Sequence, residues 1–256
     1  MRRSRWLLIP FWATFVFLYA PILVLIVMSF NASSNPFSWD GFSLEWYGEL
    51  ARNEDILEGF RNTLVVAIGS TVLATALGTL LAVGLDKYSR SKALDAFTLA
   101  PAIIPDVVLA IGLLAFFALV QFTLGLHTVL LAHVVFNTAF VTAIVKARLN
   151  NVDHSLEEAS RDLGATSAST FVRITLPNLA PGIIAGALLA FTLSLDEFVI
   201  AFFTNGPSTP TLPITIYSMV RFGVTPEINA LATLLILISF TVVIAAQRMT
   251  RLTDSV

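Results

Sequence analysis

Six stretches of the chain are each long and apolar enough to cross a lipid bilayer, and nothing else in the sequence narrows the fold so far. They run over Leu7–Phe30, Thr63–Leu85, Ala102–Phe122, Thr128–Ala147, Leu179–Phe203 and Ile228–Gln247. A spanning helix needs about 20 mainly apolar residues. As a soluble protein the chain would need six helices hydrophobic on all sides, within 256 residues. Its charge is too sparse for that, since 12% of residues are charged against about 25% in soluble domains. The runs also lack the period-2 alternation of a membrane barrel. The expected fold is an all-α membrane protein, with six transmembrane helices and short loops forming one domain over residues 1–256.

The first run follows Arg2, Arg3 and Arg5, as the core of a signal peptide would. It is longer than such a core and has no small-x-small cleavage site, so it reads as an uncleaved first span. Positive charge collects on the cytoplasmic side of membrane proteins. With the N-terminus inside, the inner segments hold Arg2, Arg3, Arg5, Lys87, Arg90, Lys92, Lys146, Arg148, Arg161, Arg173, Arg248 and Arg251, twelve in all. The outer segments hold three, Arg52, Arg61 and Arg221. Both termini are therefore expected on the cytoplasmic side. With no cysteine, disulfides, thiol nucleophiles and Cys-based metal sites drop out. His127, His133 and His154 lack the H-E-x-x-H spacing of a metal-binding helix, so no metal is expected.

Between the runs, Ser43–Leu50 reads as a short helix with Ser43 as its N-cap and Glu45 in its first turn. Trp39, Trp46 and Tyr47 suit an anchor at the membrane surface. Pro101 and Pro105 rule out a straight helix through Ala100–Asp106 and place Asp106 at a helix start. His133 and Asn137 lie four apart on one helical face. Hydrogen bonding between helices is the ordinary reading for them; a proton relay or solute contact is the other. The last outer loop, Thr204–Glu227, carries Pro207, Pro210, Pro213 and Pro226 and a possible short helix at Thr215–Phe222.

The segment from about Arg148 to Asn178 is too long for a connector, since bundle connections take about 2–8 residues. Ser155-Leu-Glu-Glu158 has the form of a capping box. Leu156, Ala159 and Leu163 share a face, and Gly164 is placed to end the helix as a C′ glycine. A second short helix should follow, with Ala168, Phe171, Val172 and Thr175 on one face, until Pro177 breaks the chain before the fifth run. The product is a helix–glycine–helix hairpin on the cytoplasmic side, the form of a docking surface for another protein.

Glu158-Ala159-Ser160, Gly164, Ile174, Leu176 and Pro177 match, step by step, the pattern EAA–x3–G–x9–I–x–L–P. The one departure is Ser160 in place of the second alanine. The stretch resembles the EAA loop of ABC importer permeases, and the chain is identified as a member of that family. The resemblance implies an importer-permease fold whose coupling helices, over 153–177, seat on a soluble ATPase. Glu157, Glu158, Ala159, Ser160, Gly164, Ile174, Leu176 and Pro177 would then form the coupling surface. It implies as partners a second homologous permease, two ATPase copies, an external solute-binding protein and the inner-membrane lipid, with no nucleic acid. It implies no cofactor here, ATP-Mg being bound by the ATPase. In keeping with this, none of Lys87, Lys92 and Lys146 follows a glycine, so the G-x-x-x-x-G-K-[ST] phosphate loop is missing.

Shorter pieces resemble the spermidine/putrescine permeases: "SFN" at Ser29–Asn31, "FSLEWY" at Phe42–Tyr47, "RNTL" at Arg61–Leu64, "LDEFVIAFFTNGP" at Leu195–Pro207 and "VTPEINA" at Val224–Ala230. Importers of other solutes, such as an amino-acid derivative, an oxyanion or ferric iron, share some of them. Asp196 and Glu197 are adjacent carboxylates inside an apolar run, and ionised groups there should face a bundle interior or a water-filled path. Adjacent helical residues point about 100° apart, so both share a lumen only if the helix breaks or the lumen is wide. With Phe191, Phe198 and Phe202 they would suit an ammonium-bearing solute by charge and cation–π attraction. A packing role is the alternative. An ion-coupled carrier using Asp196, Glu197 and His133 as a relay is a further reading, but it gives the hairpin no purpose. No nucleophile–base spacing suggests an enzyme.

Overall fold

A computed structural model describes Trp6 and residues 8–35, 38–89, 91–153, 155–223 and 225–253. Arg2, Arg3, Arg5, Arg90, His154 and Val224 lie outside the described residues. The helices are α1 (Leu8–Met28), α2 (Glu45–Leu50), α3 (Glu54–Tyr88), α4 (Lys92–Ile103), α5 (Asp106–Leu119), α6 (Leu126–Leu149), α7 (Ser155–Asp162), α8 (Ser167–Thr170), α9 (Leu176–Asp196), α10 (Val199–Thr204), α11 (Leu212–Phe222) and α12 (Pro226–Thr253). The only β pairing among the described residues is the isolated bridge Asn31–Phe42. Two compact units divide the chain, Met1–Leu57 with Thr215–Val242, and Glu58–Ile214 with Val243–Val256.

Among the described residues, four helical segments are long and apolar enough to span a membrane: α1, α3, α6 and the continuous run Ser167–Asp196. The third apolar run is not one straight helix. Its first two residues end α4 and the rest of its helix is α5, and the two helices meet at 105°. The cause is Pro105, whose ring forces the preceding residue out of the helical region; Ile104 is extended at φ −68° and ψ 138°. Pro101 stays inside α4, so Pro105 makes the break. The sixth run lies in α12, whose described residues include a shorter apolar helix, Pro226–Thr241.

In the second unit α6 is the centre. Val129, Ala132, Phe136, Val141 and Val145 are all buried on it. Close approach depends on glycines that face it. A Cβ on Gly78 of α3 would sit 2.8 Å from Val141 Cβ, and one on Gly186 of α9 would sit 3.3 Å from Val141 Cγ1. Lipid tails are as apolar as leucine, so membrane helices associate through tight packing and small contact residues.

In the first unit α1 has no buried residue, as fits a span whose neighbours are lipid or other chains. Below it the chain is tied by side chains from two of the short motifs. Ser29 Oγ and Tyr47 OH are 2.7 Å apart, and Trp46 Nε1 donates to the Asn31 carbonyl at 2.7 Å. Phe30 stacks on Phe42 at 5.5 Å. Asn31 Oδ1 accepts from the Asp40 backbone N–H at 3.0 Å. Trp46 and Tyr47, expected as surface anchors, therefore hold the loop together, while Trp39 is exposed. Ser43 precedes the cap position, which Leu44 occupies, and its Oγ accepts from the Glu45 N–H at 3.0 Å.

Candidate functional site

The hairpin forms as a folded object. Helix α7 ends in a Schellman turn: the Ala165 N–H donates to the Ser160 carbonyl at 3.1 Å and the Gly164 N–H to the Arg161 carbonyl at 2.9 Å. Gly164 has φ +85°, a conformation that residues with a Cβ resist. The helix start differs from expectation. Ser155 is the first helical residue rather than the cap, and its N–H donates to Asp153 Oδ1 at 2.9 Å. Asp153 can serve because its short side chain reaches a backbone N–H two residues on.

The burial pattern on α7 also departs from the sequence reading. Leu156, Ala159 and Leu163 share an exposed face, Leu163 at 89%. The buried residue is Glu157, at 6%. Its carboxylate accepts both contacts of Lys87 Nζ at 2.7 Å, and Oε1 also accepts from Thr175 Oγ1. Glu158 is exposed. Ser160 Oγ meets Thr170 Oγ1 at 3.0 Å, joining α7 to α8. Hydroxyls thus use the position where the pattern has alanine. A cleft of about 740 Å³ beside the hairpin is lined by Lys87, Lys92, Asp95, Lys146, Glu157, Glu158 and Arg161, among others; Lys146 pairs with Asp95 at 2.6 Å across it.

Pro177 does not break the chain. Helix runs unbroken from Ser167 to Asp196, with a π turn at Phe171–Thr175 where the Leu176 N–H donates to the Phe171 carbonyl. A proline lacks an N–H and crowds the carbonyl four residues back. The wider turn relieves that crowding, and Pro177 stands in the first turn of α9. Thr170 and Thr175 are buried and Phe171 half-buried, while Val172 is exposed. Ile174 is half-buried and Leu176 exposed.

The break comes at the carboxylates. Helix α9 ends at Asp196, Glu197 is extended at ψ 107°, and α10 begins at Val199. The two residues diverge here. Glu197 Oε1 accepts from the Ile200 N–H at 2.6 Å, capping α10, whereas Asp196 is exposed. Phe198 and Phe202 contact each other at 5.4 Å, and Phe191 is half-buried further back on α9. Two residues before the break, Ser194 Oγ lies 2.7 Å from His133 Nδ1 and 3.2 Å from Ser70 Oγ, which accepts from Asn137 Nδ2 at 3.4 Å. His133 and Asn137 thus join α6 to α3 and α9, as the ordinary reading held.

The short motifs of the second unit meet at the ends of these helices away from the hairpin. Asn62 Nδ2 donates to the Pro210 carbonyl at 3.0 Å, and Thr63 Oγ1 accepts from the Leu212 N–H at 2.8 Å. Thr128 Oγ1 donates to the Thr204 carbonyl at 2.7 Å. A Cβ at Gly206 would fall 2.5 Å from the Leu124 carbonyl oxygen, so this loop meets the connection leading into α6 at backbone contact. In the first unit Asn53 Nδ2 donates to Glu227 Oε1 at 2.9 Å. These residues hold loops, a role that spacing alone did not suggest.

Among known proteins, the family model for the binding-protein-dependent transport system inner membrane component matches residues 74–255. The putrescine transport system permease protein PotI of Escherichia coli strain K12 is 44% identical over 243 residues, covering 91% of this chain and 86% of that protein. The spermidine/putrescine transport system permease protein PotC of the same strain is 42% identical over 241 residues, covering 93% and 91%. The fold matches a chain of a bacterial alginate ABC transporter solved with an alginate pentasaccharide-bound periplasmic protein. That match has a TM-score of 0.73 and 20% identity over 97% of this chain and 94% of that one.

Proposed function

The chain belongs to the binding-protein-dependent transport system inner membrane components, and from that premise we propose that it is the permease of an ATP-driven importer of polyamines, putrescine and spermidine. The observation that carries the reading is the folded, Gly164-closed hairpin in a chain 44% identical to a putrescine permease. The hairpin is the seat for an ATPase that binds ATP-Mg, with Glu158, Ala159 and Gly164 on its exposed side. The complete transporter holds a second, homologous permease, two ATPase copies and an external solute-binding protein. Both termini of this chain face the cytoplasm. No chemistry occurs in this chain; closure of the ATPases moves the hairpins and switches the path between outward- and inward-facing states.

Asp196 is the residue proposed to meet the solute's ammonium groups, with Phe198 and Phe202 supplying aromatic faces. Glu197 supports the break by capping α10. The burial of His133 at 1% within the Ser194–Ser70–Asn137 cluster supports a packing role over a proton relay. The test is uptake of radiolabelled putrescine and spermidine by cells lacking other polyamine importers and expressing the whole transporter. ATP-dependent uptake that needs this chain is expected. Uptake of a different solute with none of either polyamine would overturn the polyamine assignment.

A further inference from the structure

Helix α7 has little apolar anchorage. Leu156 and Leu163 are exposed, and Glu157 is its one buried residue. Polar links fasten it instead. Glu157 gathers three elements at one carboxylate: its own helix, the inner end of α3 through Lys87, and the start of the fifth span through Thr175. The Arg161 side chain donates back to the Glu157 carbonyl at 3.3 Å, which braces the same turn. Lys87 lies in the last turn of α3, and Thr63 lies about 36 Å away along that helix at about 1.5 Å per residue. Between them, Ser70 reaches Ser194, two residues before the break at Asp196. At the far end Asn62 and Thr63 hold the loop at Pro210 and Leu212.

We propose that the Lys87–Glu157 ion pair is the strap that carries movement of the docked hairpin into α3, and that Lys87 is a positioning residue for coupling. The proposal rests on the hairpin's being the ATPase seat. It follows from where the ion pair leads: force on a short, exposed helix passes through whatever holds it, this contact reaches α3, and a charge-assisted contact at 9% exposure on the carboxylate side resists screening better than a surface pair. The links from Glu157 to Thr175 and from Ser160 to Thr170 tie α7 to the helix that leads into α9 rather than to α3.

The experiment uses the assembled transporter in lipid nanodiscs and follows amide hydrogen exchange with and without ATP-Mg and vanadate. In the native complex, peptides from α7 and from the inner turns of α3 should both change. In Lys87→Met, α7 should still respond, because the ATPase still docks, while α3 should not. Putrescine transport should fall about tenfold, the scale of mutations along a coupling route, with basal ATP hydrolysis kept. Glu157→Gln, which keeps the hydrogen bond to Thr175, should behave alike, and the swap Lys87→Glu with Glu157→Lys should recover most of the response. An α3 response in Lys87→Met equal to the native one overturns the strap and leaves the docking reading standing. No α7 response in the native complex overturns the docking reading and the strap together.

Discussion

Gly164 offers a sharp test, because space and backbone conformation can be separated there. A Cβ built on Gly164 meets nothing within 4 Å, yet its φ is +85°. Any loss on substitution must therefore come from the backbone. A left-handed conformation costs a residue with a Cβ roughly 1–2 kcal/mol, which shifts the local equilibrium about 5- to 30-fold toward an opened turn. The groups released would be the Ala165 and Gly164 amides, now bonded to Ser160 and Arg161. Gly164→Ala should speed exchange of these two amides by that factor in the purified complex. Gly164→Val should do more, since β-branching stiffens the side chain as well. Gly164→Asn should stay close to the native rate, because asparagine visits this region readily. Transport coupled to ATP hydrolysis should fall in the same order, while membrane insertion stays intact. Damage from asparagine equal to that from valine would refute a conformational cause, and unchanged exchange in all three would refute the Schellman turn as the hairpin's closure.

Other outcomes follow from the site. Asp196→Asn should lower polyamine transport with thermal stability and basal ATP hydrolysis unchanged, whereas Glu197→Ala should remove the α10 cap and lower stability by about 0.5–2 kcal/mol; full uptake by Asp196→Asn at subsaturating putrescine would remove that residue from the path. Ser194→Ala should leave His133 Nδ1 buried without its partner and cost about 1–3 kcal/mol, read as a lower Tm of the detergent-solubilised complex; an unchanged Tm would mean the cluster contributes nothing to helix association. Single cysteines at Ser34 and Ser208 should label from outside, and those at Ser91 and Ser167 only from inside, against a chain with no native cysteine. External labelling at Ser167 would reverse the orientation and end the case for ATPase docking.

Much of the site could be read from neighbouring residues alone. The pattern from Glu158 to Pro177 named the hairpin, and Gly164 closes it as a C′ glycine should. Pro105 turns the chain where its ring forbids helix. The adjacent carboxylates Asp196 and Glu197 can share a lumen only across a break or in a wide lumen, and the helix does break there, although the two residues diverge. All of these are settled within a few residues, by backbone sterics and local hydrogen bonds, so the order of the letters carries them. The capping box and the Pro177 break failed because a local rule had a competitor close by: Asp153 in the first case, a widened π turn in the second.

Which groups meet across the fold was decided by tertiary structure. Glu157, rather than Glu158, is buried because its partner Lys87 stands 70 residues away on another helix. His133 finds Ser194, and Asn137 finds Ser70, only because Gly78 and Gly186 let α3 and α9 close on α6. The short motifs proved to be halves of contacts, Ser29 with Tyr47, Asn31 with Trp46, Asn62 with Pro210. In an apolar surround every polar group needs a partner, so the sequence by itself determined that such partnerships must exist. It could not say which ones, because side-chain reach is a few ångströms and the helix packing that brings two groups within it depends on contacts along the whole chain.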